Sequence, residues 1–478
     1  MAMRLLGFLL LALLCLAVQP AQAAGASDLL EKAIYAEETE GNLDEAIKLY
    51  TQVLERFKES RTEAAQATFR LAMCQKKKGH DKEAAELLRK LIADFSEERE
   101  LVAKARQQLP PEFELQAAPW KNGEAQQLAI RLPGGLEVGS FTWGVHETKF
   151  QDKPAWEFTT RRFIAAGGNN QGASRVWADP KTLAPFKSVF KHTLLGTTTA
   201  VYDDGKVQIE SNAGGKEQKR TSDLAVQAYD NEQAVFVMRC LPLAEGFKGT
   251  LNVFASFGSG LIPIELSVEA KEKIKTPAGE FECWPVKMNI GQNFWFTADE
   301  HRYLVKFTAE GVVGELTSIL ELPPGEPVKF QDEKLGVSVE APSGWLFAAL
   351  RSPNDEDRLA LFVLDPDADT ETAFQVKDRK AEEKPLRTLA EEGAKRAQGV
   401  WKNYHVREDS WRERKIGDLQ AVSYLADFEN SSGKPMVELA AFVLGEKQGA
   451  IFTSRMTAES FAKLREPLEQ VLSSYRGK

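Results

Sequence analysis

The chain reads as a multidomain protein: an α-helical repeat, then an antiparallel β-rich domain, then an α/β domain. Three observations predict this. Two segments rich in Ala, Leu and Glu recur 38 residues apart, between Gly41 and Gly79. From Trp120 onward the helical period gives way to short aromatic and β-branched runs broken by Gly, Asn and Asp. After Pro323-Pro324-Gly325-Glu326-Pro327, alternating strands and amphipathic helices mix. A chain of 478 residues is too long for one core, and 43% hydrophobic with 27% charged residues is ordinary for a folded protein. The divisions are 1–23, 27–109, 112–323 and 326–478.

Residues 1–23 have the pattern of a cleaved secretory signal peptide. Arg4 is their one charge, Leu5–Val18 is apolar, and Ala21-Gln22-Ala23 places small residues at a cleavage site. The mature chain should begin near Ala24, in a secreted or periplasmic compartment. The apolar run is too short to span a bilayer, and no later segment is long enough. Cys15 follows Leu14, where a lipoprotein signal wants a small residue. A net charge of −9 argues against a nucleic-acid partner. An oxidising compartment permits a disulfide between Cys240 and Cys283; the alternative is that these and Cys74 are buried thiols.

In the repeat, Gly41-Asn42-Leu43-Asp44-Glu45-Ala46 aligns with Gly79-His80-Asp81-Lys82-Glu83-Ala84, and Phe57 with Phe95. Glycine supplies the positive φ that ends a helix, and the alanines allow two helices to approach closely. Ile47, Tyr50 and Leu54 recur on one helical face. This resembles the tetratricopeptide repeat, though 38 residues exceeds that family's period of about 34. The resemblance implies a concave surface for a protein partner. The plainer reading is a helical pair docked on its own chain.

The β-rich domain shows strand-like runs at Gln127–Arg131, Leu136–Phe150, Ala155–Ile164, Ala173–Ala178, Ser188–Leu194, Thr197–Tyr202, Lys206–Ser211, Leu251–Phe254 and Ile264–Ile274. A further set lies between Thr276 and Leu322, and Leu224–Cys240 is the one helical interlude. In Tyr303-Leu304-Val305-Lys306-Phe307, alternation predicts that Tyr303, Val305 and Phe307 are buried. Thr276-Pro277-Ala278-Gly279-Glu280-Phe281, Trp295-Phe296, Tyr303–Phe307 and Leu136-Glu137-Val138-Gly139 resemble a bacterial envelope family known as a domain of unknown function. That resemblance implies a curved sheet or half-barrel, similar to the periplasmic lipoprotein carriers. On such a sheet Trp284, Trp295, Phe296 and Tyr303 are candidates to line a site for a lipid or other apolar ligand. The competing reading is that these aromatics fill the core.

The C-terminal run Gly336-Val337-Ser338-Val339-Glu340-Ala341-Pro342-Ser343-Gly344-Trp345 resembles the start of the PsbP-like α/β sandwich, whose members are mostly binding or assembly modules. Strands at Leu359–Leu364, Leu419–Phe428, Val437–Leu444 and Gly449–Arg455 and a helix at Pro385–Trp401 are predicted. Thr457 caps a final helix striped by Phe461, Leu464, Leu468, Val471 and Tyr475, with Pro467 expected to kink or restart it.

Motifs for chemistry are not found. His-Glu-x-x-His, the P-loop and Cys-x-x-Cys are absent, and Gly258-Ser259-Gly260 lacks the Gly-x-Ser-x-Gly spacing of a nucleophile elbow. Asp299-Glu300-His301 is the one polar cluster: two carboxylates and an imidazole could bind a metal or move a proton, and the plainer reading is an Asp-rich turn. The expectation is a non-enzymatic envelope binding or scaffold protein with no cofactor, no metal and no catalytic residue. A carrier of an apolar ligand is the alternative, and an undetected hydrolase a distant third.

Overall fold

The computed structural model describes residues 25–56, 60–109, 113–165, 170–203, 205–224, 226–258, 260–352, 355–378 and 384–477. The predicted leader with its Ala24 start lies outside the described residues, as do Phe57, Asp204 and Ser259. The chain divides after Leu109 into two compact units.

The first unit is helical: α1 (Ala26–Glu38), α2 (Leu43–Arg56), α3 (Arg61–Lys77), α4 (Asp81–Asp94) and α5 (Arg99–Gln108). Gly41 and Gly79 take φ of 64° and 79° between paired helices, the left-handed region where glycine alone is unstrained. The chain then turns back so that Asn42 N–H donates to Ala36 O at 2.8 Å and His80 N–H to Gln75 O at 3.0 Å. These bonds satisfy carbonyls that a helix end leaves unpaired. Leu30, Ala33, Ala46, Tyr50 and Val53 form one core cluster, and Ala72, Leu88, Leu91, Val102 and Ala105 the next. Buried Tyr50 donates to Glu37, whose carboxylate also meets Lys77 at 2.7 Å. Ala84 is 2% exposed, so Ala84→Leu should overpack α4 against its neighbours and cost about 1–3 kcal/mol. Thermal unfolding checks this: an unchanged melting temperature would mean that the site has room for three more carbons.

The second unit opens with a sheet of sixteen strands. In chain order these are β1 (Glu124–Arg131), β2 (Glu137–Phe150), β3 (Lys153–Ile164), β4 (Asn170–Ala178), β5 (Pro185–His192), β6 (Gly196–Asp203), β7 (Lys206–Ala213) and β8 (Lys216–Asp223), then β9 (Tyr229–Asp230), β10 (Lys248–Ala255), β11 (Gly260–Val268), β12 (Glu272–Thr276), β13 (Gly279–Met288), β14 (Asn293–Thr297), β15 (Leu304–Ala309) and β16 (Val312–Glu321). Strands β1–β8 form an up-and-down meander. The last strand, β16, returns to pair with β1, Glu124 opposite Glu321, so the chain's first and last strands of this sheet meet at its centre. The path stays open, ending at β8 and β9. It curves until Tyr202 on β6 donates to Asp230 on β9 and Arg220 on β8 to Ser256 O at 2.8 Å. Those contacts join the β6–β8 end of the sheet to its β9–β10 end through side chains.

The predicted interlude at 224–240 resolves into β9, a short 3₁₀ turn and α6 (Ala234–Arg239), all six residues of which are buried. With no exposed face, α6 is an interior plug: Phe236, Val237 and Met238 pack with Trp120, Phe158 and Val176. The predicted run Ile264–Ile274 is two strands, β11 and β12. The expected alternation at 303–307 holds for Val305 and Phe307, both buried, and breaks at Tyr303 and Leu304. A register shift between Trp295 and Phe296 skips Val305 in the β14–β15 pairing. That bulge lets Leu304 and Val305 both be buried at 0% exposure, while Tyr303 is only half-buried.

The α/β layer follows. A hairpin, β17 (Val328–Asp332) and β18 (Val337–Ala341), precedes a sheet of β19 (Leu346–Ser352), β20 (Asp355–Leu364), β21 (Thr370–Asp378), β22 (Lys402–Val406), β23 (Arg412–Ile416), β24 (Leu419–Glu429), β25 (Pro435–Leu444) and β26 (Gln448–Thr457). Helix α7 (Leu386–Gln398) packs Ala390 and Ala394 on Val422, Tyr424 and Phe442. On the other face α8 (Ala458–Ser474) packs Phe461, Leu468 and Val471 with Phe374 and Phe452. Thr457 caps α8 by accepting from Ser460 N–H at 3.1 Å. Pro467 neither ends nor restarts that helix, which is a single element of 17 residues.

Alternation along β2 and β3 separates two faces. Phe141, Trp143, Phe158 and Arg162 look into the curve beside α6, while Thr142, His146, Glu157 and Arg161 look out. The outer face meets the α/β layer. Gln127 Nε2 donates to Phe347 O at 2.7 Å, Gln171 Nε2 to Thr370 O at 3.0 Å, and the Phe163 and Phe362 rings sit 4.1 Å apart.

Candidate functional site

The concave face of the sheet holds a cavity of about 270 Å³. Phe141, Trp143, Phe294 and Phe307 form its aromatic wall, with ring centroids 5.6 to 6.0 Å apart between neighbours. Val235 and Met238 of α6 close it from within, and Ile264, Met288 and Ile290 line the side. Phe307 crosses its partner strand over Gly314, where a Cβ would stand 2.0 Å from the ring. Only glycine leaves space for that ring. At the polar end Arg162 pairs with Glu232 and lies over the Phe141 ring at 6.0 Å. Glu232 is itself buried, so the pair presents the cavity with one fixed, neutralised dipole.

None of Trp284, Trp295, Phe296 and Tyr303 lines the cavity. Trp284 is half-buried under Lys271 at 5.0 Å. Trp295 is half-buried beside Lys306 and donates its indole N–H to Glu272. Phe296 is fully buried in the core, and Tyr303 stacks on His301 at 5.1 Å. Their neighbours Phe294 and Phe307 are the lining residues. The signal was present in Phe294-Trp295-Phe296: period two puts both phenylalanines on one face and the tryptophan on the other.

Cys240 and Cys283 are not joined. Both are buried free thiols, and burial pushes each up to about 12, far from a reactive thiolate. Asp299-Glu300-His301 forms a turn. Asp299 Oδ1 accepts from Thr297 Oγ1, His301 N–H and Arg302 N–H at 2.6, 3.0 and 3.2 Å. Among the described residues no group of three His, Cys, Asp or Glu side chains is placed to hold a metal. The turn serves α6 instead. Arg302 donates to the carbonyls of Arg239 and Leu241, and Arg239 donates back to those of His301 and Arg302.

The helical unit has a groove of its own, lined from α1, α3 and α5. Phe69, Met73 and Leu101 are half-buried along it. Around them stand Arg70, paired with Glu38 at 2.7 Å, and Lys104, paired with Glu100 at 2.8 Å. An apolar strip bordered by exchangeable ion pairs is what a peptide or a partner's helix would contact.

Comparison with known proteins bears on both units. Cyanobacterial PsbP from Synechocystis is 10% identical, covering 34% of this chain and 98% of that one with a TM-score of 0.28. LpqN of Mycobacterium tuberculosis, involved in cell envelope biogenesis, is 11% identical over 32% and 84%, TM-score 0.23. A protein with a YmcC-like fold from Bacteroides fragilis is 14% identical over 43% and 100%, TM-score 0.19. No curated protein matches. No described helix is long and apolar enough to cross a membrane. Residues 39–109 match the tetratricopeptide repeat family, and residues 126–321 match a family described as a protein of unknown function, DUF3108.

Proposed function

We propose that this is a non-enzymatic binding or scaffold protein of the cell envelope, making protein contacts through the groove of its helical repeat. The observation that supports this most is the strip of Phe69, Met73 and Leu101 across α3 and α5, on a segment that matches the tetratricopeptide repeat. The leader-like pattern at 1–23 supports the compartment. A photo-crosslinking residue at Phe69 or Met73 in the exported chain should give a discrete protein adduct. The same residue at Tyr35, an exposed position away from the groove, should not. Equal labelling at all three positions would remove the groove as the contact site.

A second reading, a carrier of an apolar ligand, is favoured by the aromatic cavity of the sheet. At about 270 Å³ it lies below the range of about 300–1,000 Å³ common for small-molecule sites, so it would take one end of an acyl chain. Saturable binding of a fluorescent fatty acid, lost in Ala309→Phe at the cavity wall, is the expected result for a carrier. A flat titration with the unaltered chain would end that reading.

A further inference from the structure

The outer face of β2–β4 carries a second site, unrelated to the concave cavity. Glu157, Thr159 and Arg161 alternate along β3 on that face, with His146 opposite Glu157 and Arg175 opposite Thr159. Between them, the 322–326 linker and Leu346 of the α/β layer lies a cleft of about 310 Å³.

Arg161 is 6% exposed and lines this cleft, yet its Nε and Nη2 have no hydrogen-bond partner. Those two nitrogens form one edge of the guanidinium, the side-on fork that holds both oxygens of a carboxylate. The same protein shows the fork in use: Arg407 donates from Nε and Nη2 to the two oxygens of Asp427 at 2.8 and 2.6 Å. The acids nearest Arg161 are occupied elsewhere. Asp365 accepts from the backbone of Asp367, Asp369 and Thr370, Asp367 pairs with Arg175 at 3.2 Å, and Asp369 with Lys191 at 3.3 Å. They soften the cost of burying the charge without filling the fork. Burial pulls the guanidinium down only to about 10, so it stays charged at neutral pH.

We propose that this cleft binds a small organic acid through its carboxylate, gripped by the free edge of Arg161. His146 Nδ1, also buried and without a partner, faces the same cleft and can hydrogen-bond the bound molecule. Desolvation lowers the His146 pKa, which keeps the imidazole neutral. A monoanion fits better than a phosphate dianion, because Glu157 and the Asp365–Asp369 loop would repel a second negative charge. Pro323, Leu346 and Pro366 offer apolar wall to the rest of the ligand.

Calorimetric titration of the full exported chain with benzoate, hexanoate and inorganic phosphate tests this. Saturable binding of at least one carboxylate is expected, weakened tenfold or more in Arg161→Lys, which keeps the charge and loses the fork. Titrating the unaltered protein while following the Arg161 Nε–H resonance gives a readout that needs no variant, and the carboxylate should shift it. No saturable carboxylate binding, an unmoved resonance, or undiminished affinity in Arg161→Lys would each overturn the proposal. Tighter binding of phosphate would overturn the assignment of a carboxylate.

Discussion

Arg239→Leu is expected to destabilise the second unit by about 3–5 kcal/mol, the cost of breaking a buried ion pair from one side. Arg239 is fully buried at the C-terminus of α6, with Nη1 2.8 Å from Glu124 Oε1. The contact is a buried ion pair, each charge serving as the other's counterion. The guanidinium meets the rings of Trp120 and Tyr303 at 5.6 and 5.4 Å and holds two carbonyls of the 299–302 turn. Leucine would leave Glu124, 6% exposed, without a countercharge and would free two buried carbonyls. Adding Glu124→Leu should recover part of the loss, because two apolar side chains remove the stranded charge. Urea denaturation of the single and double variants measures this. A single variant within 1 kcal/mol of the parent would show that water reaches the site and screens the pair.

Phe296→Ala should cost a similar amount, about 3–5 kcal/mol, whereas Trp295→Ala should cost only about 1 kcal/mol. Side-chain size by itself would give the reverse order, since tryptophan is the larger residue. The structure inverts the order: Phe296 is 0% exposed in the main core, and Trp295 lies half-open between Lys306 and Glu272. Alanine at 296 leaves a cavity, while alanine at 295 mostly exposes what solvent already touches. Unfolding midpoints for the two variants, compared in one denaturant, decide the matter. Equal losses would mean that Trp295 is packed as tightly as its neighbour.

Local signals were legible wherever a residue's role depends on its near neighbours. Gly41 and Gly79 turn the chain because φ must be positive there, whatever surrounds them. Thr457 caps α8 because its hydroxyl reaches a backbone N–H three residues on. Strands with clean alternation were readable to within a few residues. Those without it were not. Strand β8, Lys216–Asp223, is polar and almost wholly exposed, an edge strand with no apolar face to betray it. Strands β17, β19, β21, β22 and β23 were also missed, because short or mixed runs carry too weak a period.

By itself, the sequence determined the order of the modules, the helical repeat and its turns, the caps and most strands, because each rests on contacts within a few residues. Only the tertiary structure decided which face of the sheet carries the cavity. A one-residue bulge at Val305 reverses a face, and pairing with a distant strand sets it. The same holds for the meeting of β1 with β16 and for Arg239 beside Glu124. Each joins residues far apart in the chain, and burial gives those charges their meaning only after the surrounding layers close over them.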